Sequence, residues 1–210
     1  ADRKIEEAIY HLKMAIKLNP NYIKAHNSLG IALFDDQKNE EAISNFKMAI
    51  KLSPNHAQAH YNLGIALFAN RKIEEAISHY KTAIKLNPNY TKAHFELGIA
   101  LFADRKNEEA ISHFKMAIKL RPNFTKAHYN LGIALFSDRK IEEAISHYKM
   151  AIKLNPNYTN AHYNLGYALL QKGEMKEAVH HFRETLKLRP DFAAARDHLE
   201  LALFRSQEIE

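Results

Sequence analysis

The chain has 210 residues, 46% hydrophobic and 26% charged, and its 30 basic and 24 acidic side chains leave a formal charge of +6. This is too apolar for a disordered polar tail. The absence of cysteine excludes disulfide frameworks, zinc ribbons and thiol nucleophiles. That absence fits a reducing compartment, and a cytoplasmic location is expected.

Lysines recur at fixed places, mostly beside glutamates, rather than clustering on one face. No nucleic-acid partner is therefore expected. No run approaches the roughly 18 apolar residues of a membrane span. Residues 1–10 alternate charged and apolar groups and lack a signal-peptide core.

In chain order, residues 1–22 read as a helix of 3.6-residue period that ends at Asn19-Pro20. Prolines then recur at 20, 54, 88, 122, 156 and 190, and glycines at 30, 64, 98, 132 and 166, each 34 residues after the last. A fixed period in this range marks stacked supersecondary units rather than one globular core. Five full units cover 23–56, 57–90, 91–124, 125–158 and 159–192. In 125–158 two apolar-periodic runs, Ala127–Phe136 and Ile141–Leu154, flank Ser137-Asp138-Arg139-Lys140. Both are too long and too rich in Ala, Leu, Lys and Glu for strands, so each unit is predicted to be a helical hairpin. Glu142 and Glu143 in the first turn of the second helix, with Lys149 and Lys153 toward its end, complement the helix dipole. Pro156 stops that helix, and Asn157 is expected to cap the next. Gly132, mid-helix, is expected to let two helices approach closely.

A lone first helix is predicted at 193–206. Glu200 stands there in the glycine place, which reads as a polar cap. By this reading residues 1–22 are a half repeat with only the second helix. The chain is expected to be trimmed at its N-terminus and natural at its C-terminus. The whole of 1–210 is one array.

The strings A-x-x-N-L-G-x-A, E-A-I and A-I-K-L-x-P-N, repeated along essentially the whole chain, resemble the tetratricopeptide repeat. The resemblance implies an all-α fold, an α-solenoid of stacked 34-residue hairpins winding as a right-handed superhelix, whose first helices line a concave groove. It implies a non-enzymatic scaffold for protein–protein interaction. Two places depart from the family. His26, His60, His94, His128 and His162 stand where Trp is common. Gln37, Arg71, Arg105 and Arg139 stand where the turn between helices often has Gly, and only Gly173 conforms.

A longer period lies within the first. Unit 57–90 differs from 125–158 at five places, whereas the intervening 91–124 differs at seven. Ile5, Asn39, Ile73, Asn107 and Ile141 alternate, as do Phe46, Tyr80, Phe114 and Tyr148. This reads as a duplicated or designed two-hairpin unit. The drift of 159–192 (Gln171, Gly173, Met175, Val179) favours duplication.

The first helix of each unit is apolar on two faces. In 125–158, Ala127, Leu131, Ala134 and Leu135 form one, and Tyr129, Ile133 and Phe136 the other. A helix apolar on two sides is buried twice or lines a groove. Tyr61, Phe95, Tyr129 and Tyr163, with Tyr167, are the candidate anchors, because a tyrosine hydroxyl needs water or a partner. Beside them stand Ser28, Asn62, Glu96, Asn130, Asn164 and His198. In superhelical arrays resembling that of O-GlcNAc transferase, asparagines at this place form a ladder along a bound peptide backbone. Asn62, Asn130 and Asn164 match that pattern, and Glu96 interrupts it. Lys92 and Lys126 would bias the groove toward acidic sequence. A chaperone-tail carboxylate clamp is not expected, since Asn27, Tyr61, Phe95 and Tyr129 occupy the place of its further basic residue.

The thirteen histidines read as structural, and no metal or cofactor is expected. Equivalent residues of successive hairpins lie too far apart to share an ion with ligands at about 2 Å. No nucleophile has a base beside it and no Gly-rich phosphate loop occurs, so no catalytic residue is assigned. The expected partner is a protein or peptide of acidic character with apolar anchors. Two alternatives stay open. One is head-to-tail self-association through the half repeat. The other is a substrate-recruiting arm severed from an upstream enzyme such as a glycosyltransferase.

Overall fold

A computed structural model describes residues 2–207. Among them are the helices α1 (Asp2–Leu18), α2 (Ile23–Asp35), α3 (Asn39–Leu52), α4 (Ala57–Ala69), α5 (Ile73–Leu86), α6 (Thr91–Ala103), α7 (Asn107–Leu120), α8 (Thr125–Ser137), α9 (Ile141–Leu154), α10 (Thr159–Lys172), α11 (Met175–Leu188) and α12 (Ala193–Gln207), with no strand among the described residues. The chain forms two compact units, one ending at Lys106 and one beginning at Asn107.

In the first unit α1 packs on α2, α2 on α3, and so on to α6. In the second the same succession runs from α7 to α12. The fold is all-α, an α-solenoid of stacked helical hairpins. The even-numbered helices, the first of each hairpin, also touch their like: α2 meets α4, α4 meets α6, α8 meets α10 and α10 meets α12. Among the described residues no such contact joins successive odd-numbered helices within either unit. The even helices therefore crowd on one side of each unit, and their exposed edges form its inner face.

The core explains the sequence periods. Ala127, Leu131, Ala134 and Leu135 of α8 are wholly buried, as are Ala144 and Ala151 of α9. The regular step of the glycines has a sharper cause than close helix approach. A Cβ placed on Gly132 would lie 2.6 Å from the Tyr148 ring, on Gly64 2.6 Å from Tyr80, on Gly30 2.5 Å from Phe46 and on Gly166 2.9 Å from Phe182. Each of these four glycines makes room for an aromatic ring of the second helix, whose atoms are the nearest the added Cβ would meet.

The turn inside each hairpin keeps the shape that glycine normally serves. Gln37, Arg71, Arg105 and Arg139 have φ of 62°, 60°, 61° and 60°, and Gly173 has 86°. At Arg139, the Arg139 N–H donates to the Phe136 carbonyl at 3.0 Å and the Lys140 N–H to the Leu135 carbonyl at 2.9 Å. This is the Schellman closure of a helix C-terminus, held here by a non-glycine residue in the left-handed region.

Asn157 does not cap α10. Tyr158 occupies the N-cap and makes no side-chain capping bond. Instead Asn155 accepts from the Asn157 N–H at 3.2 Å through its side chain and from the Tyr158 N–H at 3.1 Å through its carbonyl. An Asx-type turn after the helix does the work expected of a cap before the next. His56 does cap α4, its Nδ1 accepting from the Ala59 N–H at 3.1 Å.

The histidines in the Trp-like place are structural in a specific way. Nε2 of His60, His94, His128 and His162 lies 2.9–3.0 Å from the carbonyl of Pro54, Pro88, Pro122 and Pro156 respectively. A carbonyl only accepts, so Nε2 carries the proton. Nδ1 of His60, His128 and His162 then accepts from Nδ1 of His79, His147 and His181, at 3.0, 3.1 and 3.1 Å. Each pair ties the turn before a hairpin to both of its helices. Burial, followed by the neighbouring histidine, pushes His147 and His181 down to about 4, and lowers His79 for the same reasons.

Candidate functional site

The inner faces carry the residues singled out from the sequence. The aromatic places do not all face water. Tyr61 and Phe95 are buried, at 8% and 6% exposure, whereas Tyr129, Tyr163 and Tyr167 are half-buried. The turn aromatics of the next hairpin cover three of them. Tyr90 lies 4.9 Å from Tyr61, Tyr158 lies 4.8 Å from Tyr129 and Phe192 lies 4.7 Å from Tyr163, ring centre to ring centre.

The polar places are paired with the aromatic places one hairpin away. Asn62 Nδ2 donates to Asn27 Oδ1 at 3.0 Å, and Asn164 Nδ2 donates to the Tyr129 hydroxyl at 3.1 Å. The Tyr163 hydroxyl lies 3.2 Å from His198 Nδ1. All three pairs have a separation of 35 residues, so each bond ties one even helix to the next. Asn62 also accepts from Gln58 Nε2 at 2.8 Å, and Asn130 donates to the Lys126 carbonyl at 2.8 Å. Burial, then the Glu96 carboxylate, raises the Tyr61 phenol. This network was missed from the sequence, although the 35-residue separation was readable there. Lys92 and Lys126 stand exposed in the first turns of α6 and α8.

In the second unit the inner face opens into a cavity of 430 Å³. Ile133, Phe136, Ser137 and Tyr148 line one side, and Tyr163, Asn164 and Tyr167 the other. Thus Tyr163, Asn164 and Tyr167, three of the predicted groove residues, share one site with the second apolar stripe of α8. Tyr129 and Asn130 do not line it. Among the described residues no group of three or more His, Asp or Glu could hold a metal ion, and no helix is long and apolar enough to cross a membrane.

A stack of helical hairpins that crowds its first helices along one face defines a repeat scaffold. A family model described as TPR repeat matches residues 4–37 and 139–173, and two described as tetratricopeptide repeat match 27–91 with 61–124, and 159–192. The chain belongs to the tetratricopeptide-repeat family. Its general role is that of the family's fold, a module for protein interaction. No curated protein matches the chain.

Among solved structures, YrrB, described as a TPR protein with an unusual peptide-binding site, superposes with a TM-score of 0.78 at 21% identity, over 89% of this chain and 96% of that one. MamA 41-end from Desulfovibrio magneticus RS-1 gives 0.76 at 24%, over 81% and 97%. The Cut9–Hcn1 hetero-tetramer of APC/C gives 0.75 at 23%, over 96% of this chain and 40% of that one. At these identities the likeness is one of fold.

Proposed function

We propose that the chain binds a peptide segment of a partner protein on the inner face of its even-numbered helices. The cavity lined by Tyr148, Tyr163, Asn164 and Tyr167 carries this reading. It is an aromatic recess on a surface otherwise built by packing, and its volume is that of a ligand site. Tyr163 and Tyr167 anchor the peptide, and Asn164 meets its backbone. Tyr129 and Asn130 form the adjoining surface of the second unit. In the first unit Tyr61, Asn62 and Phe95 contribute a shaped wall more than free hydroxyls or amides. Lys92 and Lys126 favour acidic residues at the rim. The peptide-binding site of YrrB, on the same fold, supports the class of ligand.

The test starts from random dodecapeptides selected by display against the whole chain. Selected peptides are titrated on the wild type and on Tyr163→Ala and Tyr167→Ala, with circular dichroism to show that the fold survives. We expect affinity to fall at least about tenfold, the size of a lost hot-spot side chain. Unchanged affinity in folded variants contradicts the proposal.

A further inference from the structure

We propose that the cavity of the second unit selects an aromatic side chain with a hydrogen-bonding tip, the phenol of a partner's tyrosine or the indole of its tryptophan. This deepens the reading of the inner face given above and rests on it. Tyr148 is the deciding residue. It is only 2% exposed, yet it lines the cavity, and its hydroxyl bonds to no other described residue. Among the described residues no buried side-chain polar atom lacks a partner. An unpaired Tyr148 hydroxyl is therefore one that reaches the cavity rather than one sealed in the core. The ring itself is fixed, because one edge abuts Gly132.

The Tyr167 hydroxyl is likewise without a partner among the described residues. Its ring is set by Phe136 at 5.6 Å and by His198 at 5.1 Å. Asn164 spends an amide hydrogen on Tyr129, which leaves its carbonyl oxygen to accept. A rigid donor–acceptor hydroxyl, a second hydroxyl and an amide carbonyl thus border an aromatic recess.

Each class of side chain meets this recess differently. The lining has no lysine, arginine, aspartate or glutamate, so a buried carboxylate, phosphate or ammonium would have no counter-charge. A purely aliphatic group would cover the hydroxyls and the carbonyl without pairing them, which is unfavourable. An aromatic ring with a polar tip satisfies both the walls and the tip groups. In the first unit, where Tyr80 stands in the place of Tyr148 the opposing places hold Phe95, Glu96 and Ile99, and where Tyr61 and Asn62 recur the places of Tyr148 and Tyr167 hold Phe46 and Ile65. The neutral, hydroxyl-bordered recess is therefore particular to the second unit.

The test is an NMR titration of the whole isotope-labelled chain with N-acetyl-tyrosinamide, its phenylalanine, leucine and aspartate counterparts, and N-acetyl-tryptophanamide. The tyrosine and tryptophan amides should shift resonances of Ile133, Tyr148, Asn164 and Tyr167. The tyrosine amide should bind about fivefold to tenfold more tightly than the phenylalanine amide, the worth of one hydrogen bond. Tyr148→Phe should reduce that preference to about one. Equal or tighter binding of the leucine or aspartate amide, a preference that survives Tyr148→Phe, shifts clustered elsewhere, or no shift from any amide would each overturn the proposal. Displayed peptides that need Tyr163 and Tyr167 but accept leucine for their aromatic residue would overturn this inference alone and leave peptide binding standing.

Discussion

Asn164 Nδ2 donates to the Tyr129 hydroxyl at 3.1 Å, across the 35 residues that separate one first helix from the next. The same separation joins Asn62 to Asn27 and Tyr163 to His198. Side chains that could face a ligand are thus also the ties between hairpins. Tyr129→Phe removes the acceptor and keeps the ring on Tyr158. It should cost about 1 kcal/mol, the net worth of one hydrogen bond, and the double change with Asn164→Ala should cost less than the two single losses summed. A denaturant double-mutant cycle measures this.

The glycine places answer to the rings beneath them. Alanine mid-helix ordinarily stabilises by about 1 kcal/mol relative to glycine. At Gly132 its Cβ would fall 2.6 Å from the buried Tyr148 ring. Gly132→Ala should therefore destabilise, by about 1–3 kcal/mol as overpacking does. Thermal melting gives the sign directly.

The hairpin turns hold arginine in a conformation that suits glycine. Arg139 has φ of 60°. Arg139→Gly should stabilise the protein by about 1 kcal/mol, the usual steric penalty of a side chain there. Gly173→Ala, at φ of 86° with nothing within 4 Å of the added Cβ, should destabilise through backbone strain alone. Chemical denaturation of the two variants should show opposite signs.

The histidine pairs make stability depend on pH. His147 and His181 are held at about 4, below the free value of about 6.5. The unfolded chain therefore binds more protons as pH falls, and the folded state is penalised. The pairs contribute fully above about pH 6.5, and their contribution is lost progressively as pH drops toward 4. Around His147, Lys115 adds to the downward shift and Glu143 opposes it. Solvent still reaches these rings, so the loss should be discounted to about 1–2 kcal/mol per pair. Asn45 stands naturally in the equivalent place of α3, 3.3 Å from His26. Replacing His147 and His181 by Asn should flatten the acid side of a plot of melting temperature against pH.

The periods of Pro, Gly and Ala made the hairpins and their core legible, because these residues act through backbone and volume, which repeat identically. The contacts between repeats were harder to read. His60 and His79 are 19 residues apart and Pro54 is six before His60, yet neither spacing looks like a bond until both helices are placed. From sequence the aromatic places read as groove residues because their stripe is apolar and a tyrosine hydroxyl needs water or a partner. The structure buries Tyr61 under Tyr90, a turn residue that no helical periodicity would pair with it. The cavity gathers residues of three helices, and Tyr148 enters it from the second helix of a hairpin, whose inward face the sequence marks only as core.

Peptide binding on the inner face is decided by where a bound peptide lies. The most direct measurement is the amide chemical-shift map of the labelled chain with a display-selected dodecapeptide. Shifts should concentrate on α8 and α10, strongest around Ile133, Tyr163, Asn164 and Tyr167. Shifts confined to the odd-numbered helices, around Lys115, Glu143 and Lys149, would contradict inner-face binding.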